Sequence, residues 1–209
     1  MASSIDRQVD RRLAELIEPL TANDGYTESS LKGVKLLRST VTIPRHPVVY
    51  EPSIVIIAQG HKTGYLGEIV YRYDPHNYLV LSVPLPFDCE TVGTPEEPLL
   101  GVSISVDVAT VSELLLDMDD SNSLSSAVPR GIYSSLLTDD MMDALIRLLD
   151  SLSNPLDTRI LGQQIVREIV YRVLCGEQGE SLRSLAIRHS RFGQIAKVLK
   201  RMDTEYDSE

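Results

Sequence analysis

The sequence predicts an α+β protein in which short antiparallel strands come first and helices follow. Short apolar runs, bounded by glycine, proline and asparagine, fill residues 34–106, as in proteins built from many short strands. Within this region, Leu99 to Val106 alternates strictly between large apolar and small side chains, which is the period of a strand. After Asp107 the apolar period becomes helical. The strand region is therefore predicted to be an antiparallel barrel or sandwich.

The segments around the strands carry their own local signals. From Asp6 to Leu20 the apolar residues recur at helical spacing and Pro19 ends the pattern, which predicts an amphipathic N-terminal helix. The turn from Asp74 to Asn77 separates two apolar runs, 69–73 and 78–83, and this arrangement predicts a hairpin.

Capping residues predict the helices that follow the strands. Asp107 caps a helix from Val108 to Met118, which leads into a loop from Asp119 to Arg130, and Thr138 caps the next helix. Asn154, followed by a proline, begins a longer helix that ends at Gly176. A last helix is predicted from Ser190 to Met202.

Composition places the chain among ordinary globular proteins. It has 209 residues, a formal net charge of −10 and 43% hydrophobic residues, close to the globular average. Cys89 and Cys175 stand far apart in the sequence, which is typical of a reduced protein and not of a disulfide scaffold. The sequence shows no apolar leader and no apolar run of membrane-spanning length, so we expect a cytoplasmic protein without a membrane partner.

The charge is distributed unevenly along the chain. Residues 181–201 contain six basic side chains and no acidic one, whereas the whole chain has 30 acidic and 20 basic residues. The acidic balance argues against a nucleic-acid-binding surface on the body of the protein. The basic stretch is either a solvated helix face or the edge of a neighbouring basic unit.

No group of residues indicates a catalytic or metal site. A metal-binding barrel normally offers an HxH pair, which none of the four histidines forms. The stretch Gly60–Gly64 lacks the order of a phosphate-binding loop and is interpreted as a hairpin turn. Residues 101–105 lack the last glycine of a nucleophile elbow. We therefore predict no catalytic residues, no metal and no cofactor.

One face of the strand 99–106 indicates a small-molecule pocket. Gly101, Ser103 and Ser105 have little side-chain volume, so an inward orientation of this face would leave space inside a barrel. Aromatic and polar side chains of neighbouring runs would line that space, a composition typical of ligand pockets. The alternative is that a helix covers the small face. The predicted ligand-binding residues are Arg38, Gln59, Tyr71, Tyr73, Tyr78, Ser103 and Ser105.

The helix from Asn154 to Gly176 has an unusually wide apolar face. The arc spans about 180°, more than the ~100° that one core needs. Either this helix is deeply buried in its own domain, or it also contacts a second copy of the chain. We predict a homodimer, because two-fold dimers are the commonest assembly. The predicted interface residues are Ile165, Val166, Ile169, Val170 and Val173.

Separated motifs follow one another in a defined order along the chain: Leu36–Ser39, Pro52–Gly60, Gly67-Glu68, Tyr71–Pro75, Tyr78–Pro86, Glu168–Gly176, Gly179 and Leu182-Arg183. In this order they resemble the amino-terminal domain of AraC-type transcriptional regulators, over most of residues 30–190. The resemblance implies a cupin-like antiparallel jelly-roll β-barrel followed by an α-helical dimerisation subdomain. It also implies a C-terminal DNA-binding domain with two helix-turn-helix units.

The end of the sequence departs from the family's pattern. Residues 190–202 resemble the first helix of the DNA-binding domain, and neither recognition helix follows. We therefore expect a truncated protein or gene fragment, or alternatively a naturally short relative, that binds no specific DNA sequence by itself. The expected units are an N-terminal helix (1–25), the barrel (26–107), the helical dimerisation subdomain (108–176) and a linker with the first helix of the missing domain (177–209).

The resemblance also implies a function. We expect a ligand-sensing and dimerising regulatory domain of a transcription factor and no enzyme activity. Its expected partners are an unknown small-molecule effector, a second copy of the chain, and DNA only through the missing C-terminal domain. The effector would shift the packing of the helical subdomain and so reposition the DNA-binding units. The alternatives are a cupin-type metal-dependent enzyme, such as an isomerase or an oxygenase, and a dimerisation module without a ligand.

Overall fold

A computed structural model describes the chain at residues 4–118, 131–177 and 179–186. The predicted helix from Ser190 to Met202 and the predicted loop from Asp119 to Arg130 lie outside the described residues. The described strands are β1 (Gly25–Glu28), β2 (Val34–Ser39), β3 (Ile43–Tyr50), β4 (Ser53–Gln59), β5 (His61–Leu66), β6 (Ile69–Tyr73), β7 (Asn77–Leu81), β8 (Leu85–Val92), β9 (Leu99–Ser105) and β10 (Ile132–Leu136). The described helices are α1 (Ser4–Ile17), a 3-10 turn (Glu18–Leu20), α2 (Val108–Asp117), α3 (Asp139–Leu152), α4 (Pro155–Cys175) and a helical segment at 179–186.

The strands form two sheets in which every pairing is antiparallel. The large sheet has six strands in the order β1-β2-β9-β4-β7-β10, and the small sheet has four in the order β3-β8-β5-β6. Strands distant in sequence are inserted between near neighbours, as β9 is between β2 and β4, which is typical of a jelly roll. The predicted α+β class and the antiparallel, jelly-roll-like strand arrangement are confirmed.

The large sheet is apolar on both faces because it lies between two layers. In β9, Leu100, Val102 and Ile104 belong to the core shared with the helices, whereas Leu99 belongs to the core shared with the small sheet. This alternation follows the period predicted for Leu99 to Val106. The molecule therefore has a layer of helices, the large sheet and the small sheet, with a separate apolar core on each side of the large sheet.

Local capping chemistry sets the helix boundaries. Asp107, Thr138 and Asn154 each accept a hydrogen bond from a backbone N–H in the first turn of their helix, as predicted. Helix α1 packs against β4 and β9, α3 packs against α1, and α4 packs against α3. In the described part of the chain, every helix is too short or too polar to cross a lipid bilayer.

The hairpin predicted around Asp74 is wrong. β6 pairs with β5 in the small sheet, whereas β7 pairs with β4 and β10 in the large sheet. Asp74 does stabilise the turn, since its carboxylate accepts a hydrogen bond from the His76 backbone N–H at 3.2 Å. The hairpin is formed instead by β5 and β6 around Gly67, whose φ of 60° favours glycine. The turn residues show that the chain reverses there, but not which sheet takes the next strand.

Strand β10 has no counterpart in the sequence prediction. It pairs with β7 at the edge of the large sheet, although it lies in the range 108–176 that was predicted as a helical subdomain. The predicted division into units at residues 25, 107 and 176 stays a prediction.

The wide apolar arc of α4 is used within the chain itself. One side of the helix packs on α3, and on another side Leu31 lies against Gly162, where a Cβ atom would be only 2.9 Å from the leucine. The five predicted interface residues all belong to or pack against the helix-side core, four of them buried and Val166 partly buried: Ile165, Val166, Ile169, Val170 and Val173. Much of the arc is therefore core within this chain, and the full burial of Ile169, Val170 and Val173 argues against these three residues in a two-fold interface. The interface itself stays a prediction.

Candidate functional site

A cavity of about 700 Å³ opens between the two sheets, beside their edge strands β1 and β3. The large sheet lines it with residues of β1, β2, β4 and β9, and the small sheet with residues of β3, β5 and β8. Small-molecule pockets typically have volumes of about 300–1,000 Å³. Inward-facing lining residues include Leu37, Val48, Tyr50, Lys62, Thr91 and Ser103.

The small side chains of β9 leave part of this space open. Ser103 and Ser105 line the cavity, because they alternate with residues that face the helices. Of the two orientations that the sequence left open, the structure has the one in which Ser103 and Ser105 point away from the helices. Gly101 differs from the serines, since a Cβ atom there would lie 3.0 Å from Ile57 Cδ1 and 2.7 Å from the Ile56 carbonyl oxygen. Gly101 thus allows close packing of β4 and β9, and the open space lies beside the serines.

Lys62 and Tyr50 form a buried polar pair in the cavity wall. Lys62 is only 6% exposed, and its Nζ donates a hydrogen bond to Tyr50 Oη at 3.0 Å. The Tyr50 ring stacks on Phe87 with the ring centroids 5.2 Å apart. Burial raises the pKa of the Tyr50 phenol well above its usual value, so the phenol is a neutral hydroxyl at physiological pH. The pair places a lysine amine and a hydroxyl beside the apolar side chains of Leu37 and Val48 in the cavity wall.

Charged residues surround the mouth of the cavity. Arg38 lies between Glu18, with an N···O distance of 3.7 Å, and Asp24, with an N···O distance of 3.9 Å. The Thr40 hydroxyl donates a hydrogen bond to Asp24 at 2.6 Å, and this bond lowers the pKa of the Asp24 carboxyl. The basic side chain at the mouth is therefore balanced by carboxylates of the same chain.

The structure brings together only part of the predicted ligand-binding set. Arg38, Ser103 and Ser105 line the cavity, whereas four others do not. Tyr73 is wholly buried in the core between the sheets, and its hydroxyl lies 3.1 Å from Cys89 Sγ. Tyr71 packs beside the same core.

Gln59 and Tyr78 lie away from the cavity for different reasons. The Gln59 side-chain amide donates a hydrogen bond to the Pro98 carbonyl oxygen at 2.8 Å. Tyr78 faces the helices, because it is one residue out of phase with Leu79, which faces the small sheet. The predicted hairpin would have placed Tyr78 on the same face as Tyr71 and Tyr73. Because β7 belongs to the large sheet and β6 to the small sheet, Tyr78 does not share a face with them.

Sequence reasoning missed Tyr50, Lys62 and Thr91. The stretch Gly60–Gly64 was interpreted as a turn, but only Gly60 bends the chain, at a φ of 76°, and β5 begins at the next residue. Because β5 is a strand, Lys62 and Gly64 lie on the same face of it. A Cβ atom at Gly64 would clash with Phe87, which belongs to the core between the sheets, so this face points inward. That signal requires knowing the sheet to which β5 belongs.

Metal ligation finds no support in the described part of the chain. No three His, Cys, Asp or Glu side chains are grouped there as a metal site requires. His46 lines the cavity, and its Nδ1 lies 2.9 Å from the Pro44 carbonyl oxygen. The absence of a metal, a cofactor and catalytic residues stays a prediction.

A comparison with protein families identifies the class of protein. The family described as AraC-type transcriptional regulator N-terminus matches residues 30–181, which include the described strands β2 to β10 and the helices α2, α3 and α4. The chain belongs to this family. The comparison with curated proteins gives no match.

Solved structures of ToxT and of the AraC-like transcriptional activator CuxR are similar to this chain. ToxT from Vibrio cholerae aligns with 12% identity and a TM-score of 0.41, over 56% of this chain and 46% of that chain. ToxT bound to (E)-4-(8-methylnaphthalen-1-yl)but-3-enoic acid aligns with 10% identity and a TM-score of 0.46, over 68% and 55% of the two chains. The AraC-like transcriptional activator CuxR aligns with 12% identity and a TM-score of 0.45, over 88% and 74%. The chain thus spans about half the length of the ToxT structures it matches.

Proposed function

We propose that this chain is the effector-sensing domain of an AraC-type transcription regulator, and that the effector binds in the cavity between the two sheets. Membership of the family supports the regulatory role. The observation that carries the sensing role is the cavity itself, whose volume of about 700 Å³ suits a small organic molecule. Its inward-facing wall combines apolar side chains such as Leu37 and Val48 with polar groups such as those of Lys62, Thr91 and Ser103, and sites for small molecules use both kinds of contact.

The central position of β9 offers a route from the cavity to the helices. Ser103 faces the cavity, while its neighbour Ile104 is wholly buried on the helix side. A ligand that holds the sheets at a particular spacing would therefore bias the packing of α1, α3 and α4 on the other face. This coupling requires the effector to bind the two helix arrangements with different affinities.

The proposal extends to the partners of the whole regulator. We propose that DNA contact belongs to the helix-turn-helix units that the family resemblance implies, and that the protein acts in the cytoplasm. A homodimer remains part of the proposal, although its interface cannot rest on Ile169, Val170 and Val173, which are fully buried in the core. Sedimentation of the wild-type chain at high micromolar concentration tests the dimer, and a single monomeric species would contradict it.

The cupin-type enzyme gains no support from the comparisons, because the matching family is one of transcription regulators. Metal analysis of the purified protein separates the two functions. A stoichiometric bound metal would favour the enzyme, whereas effector binding to metal-free protein would favour the regulator.

A thermal-shift screen tests effector binding directly. Small carboxylates, sugars and aromatic compounds are added to the wild type and to Ser103→Phe, whose ring would fill the cavity. A ligand present at 100 times its Kd stabilises the native state by about 2.7 kcal/mol, or about 5–11 °C in Tm for a domain of this size. Ser153→Phe adds the same ring at an exposed position at the end of α3 and serves as the control.

The three possible outcomes of the screen distinguish binding in the cavity, binding elsewhere and no binding. A shift that Ser103→Phe abolishes and Ser153→Phe keeps supports the proposed site. An equal shift in all three proteins would place the ligand elsewhere. Failure of every compound class to stabilise the wild type would favour the dimerisation module without a ligand.

A further inference from the structure

The basic side chains that line the cavity differ in whether the chain neutralises them. Lys35 forms an ion pair with Glu28 at 2.8 Å, and Arg38 lies 3.9 Å from Asp24. Lys62 also lines the cavity, but it has no carboxylate within ion-pair distance among the described residues. The cavity therefore contains a cation for which the described chain supplies no counter-charge.

Lys62 is also the most enclosed of these cations. It faces inward on β5, beside its register partners Thr91 and Tyr73, and is only 6% exposed. A lysine ammonium has three donors. In the described residues one of them is used, in the 3.0 Å hydrogen bond to Tyr50 Oη. Because a buried ammonium without a counter-charge is costly, an anion beside Nζ would stabilise the site.

The surroundings of Lys62 limit what that anion can be. Leu37 and Val48 provide apolar walls, and the Thr91 hydroxyl makes no side-chain hydrogen bond within the described chain. The carboxylates that line the cavity, Asp24 and Glu51, are exposed at its mouth. One enclosed cation beside the apolar side chains of Leu37 and Val48 suits a singly charged head joined to an apolar body. A phosphate monoester would bring more charge than Lys62 neutralises.

We propose that the effector is an organic acid, whose carboxylate binds Lys62 Nζ and the Thr91 hydroxyl and whose apolar body lies between the two sheets. This inference rests on the proposed function, because it names the chemical class of ligand for the same cavity. Lys62 acts as the specificity-determining residue by favouring an acid over a neutral molecule of the same shape.

Matched pairs of acid and alcohol test the inference by isothermal titration calorimetry on the 209-residue chain. The pairs are octanoate with octanol, and phenylacetate with phenylethanol. Since a hydrogen bond to a charged group contributes about 1.5–3 kcal/mol, the wild type should bind the better acid about 10- to 150-fold more tightly than its alcohol. Lys62→Met keeps the apolar length of the side chain without its charge, and should bind the acid and the alcohol alike.

Two further variants complete the design. Lys32→Met removes the charge of an exposed lysine outside the cavity and should keep the wild-type preference. Lys62→Gln, which keeps hydrogen-bond donors without the charge, should lose the preference as Lys62→Met does. The comparison of acid with alcohol in the wild type needs no variant, so it stands even if one of the Lys62 variants does not fold.

The outcomes separate this inference from the proposed function. Equal binding of acid and alcohol to the wild type, binding of neither acid, or a preference retained in Lys62→Met would overturn the carboxylate assignment. In that case, a neutral ligand that binds the wild type but not Ser103→Phe would still support the cavity as the effector site. If no ligand of any class depends on Ser103, the proposed function fails as well.

Discussion

Replacing Ile169 by alanine tests whether the apolar arc of α4 is core. Ile169 is 0% exposed and lies in the core shared by the helices and the large sheet. The substitution removes Cγ1, Cγ2 and Cδ1, each worth about 0.8 kcal/mol on burial. With the cavity left behind, the free energy of unfolding should fall by about 2–5 kcal/mol. In a domain of this size, that corresponds to a decrease in Tm of about 4–20 °C.

Ile160→Ala is the matched control, because this isoleucine lies in the same helix but is 55% exposed. Its free energy of unfolding should stay within about 0.5 kcal/mol of the wild type. Urea unfolding followed by circular dichroism measures both variants, at two protein concentrations about tenfold apart. A core contact within one chain predicts the same loss at both concentrations, whereas an intermolecular contact predicts a loss that depends on concentration. The reasoning is refuted if Ile169→Ala costs no more than Ile160→Ala, or if its cost depends on protein concentration.

Three further substitutions test local features by the same urea assay. Glu168→Gln removes a carboxylate whose pKa is lowered, chiefly by the Arg147 hydrogen bonds at 2.8 and 2.9 Å. Because its pKa is lower in the folded protein than in the unfolded chain, the carboxylate stabilises the fold above the unfolded pKa, and this stabilisation is lost as the pH falls through the folded pKa. The variant should therefore be about 0.2–1 kcal/mol less stable than the wild type at pH 7. A difference that does not shrink below about pH 4 would contradict this. Asn154→Ala removes the cap bonded to the Leu156 N–H at 2.9 Å and should cost about 1 kcal/mol, so an unchanged midpoint would argue against the cap. Gly101→Ala would place a Cβ 2.7 Å from a backbone oxygen and should destabilise the sheet by about 1–3 kcal/mol; stability equal to the wild type would show that β4 and β9 approach less closely.

The structure also explains which half of the candidate site the sequence could predict. Ser103 and Ser105 were predicted because strict alternation along β9 is a property of consecutive residues. Lys62 was missed because its inward orientation follows from the place of β5 in the small sheet, next to β8 and β6. Tyr78 was assigned to the cavity because β6 and β7 were predicted to share a hairpin, whereas they belong to different sheets.

What the sequence determined by itself is local. The starts of α2, α3 and α4 follow from Asp107, Thr138 and Asn154, because each cap bonds backbone groups within three residues of itself. The order of motifs likewise identified the family.

Only the tertiary structure decided what each apolar face meets. The arc of α4 predicts contact with two surfaces, but α3 and Leu31 supply both of them from the same chain. Lys62 and Tyr50 are only 12 residues apart, but they meet at 3.0 Å because β3 and β5 are both paired with β8, which lies much further along the chain. Periodicity shows that an element has a buried face, whereas its neighbours depend on strand pairings between residues far apart in the chain.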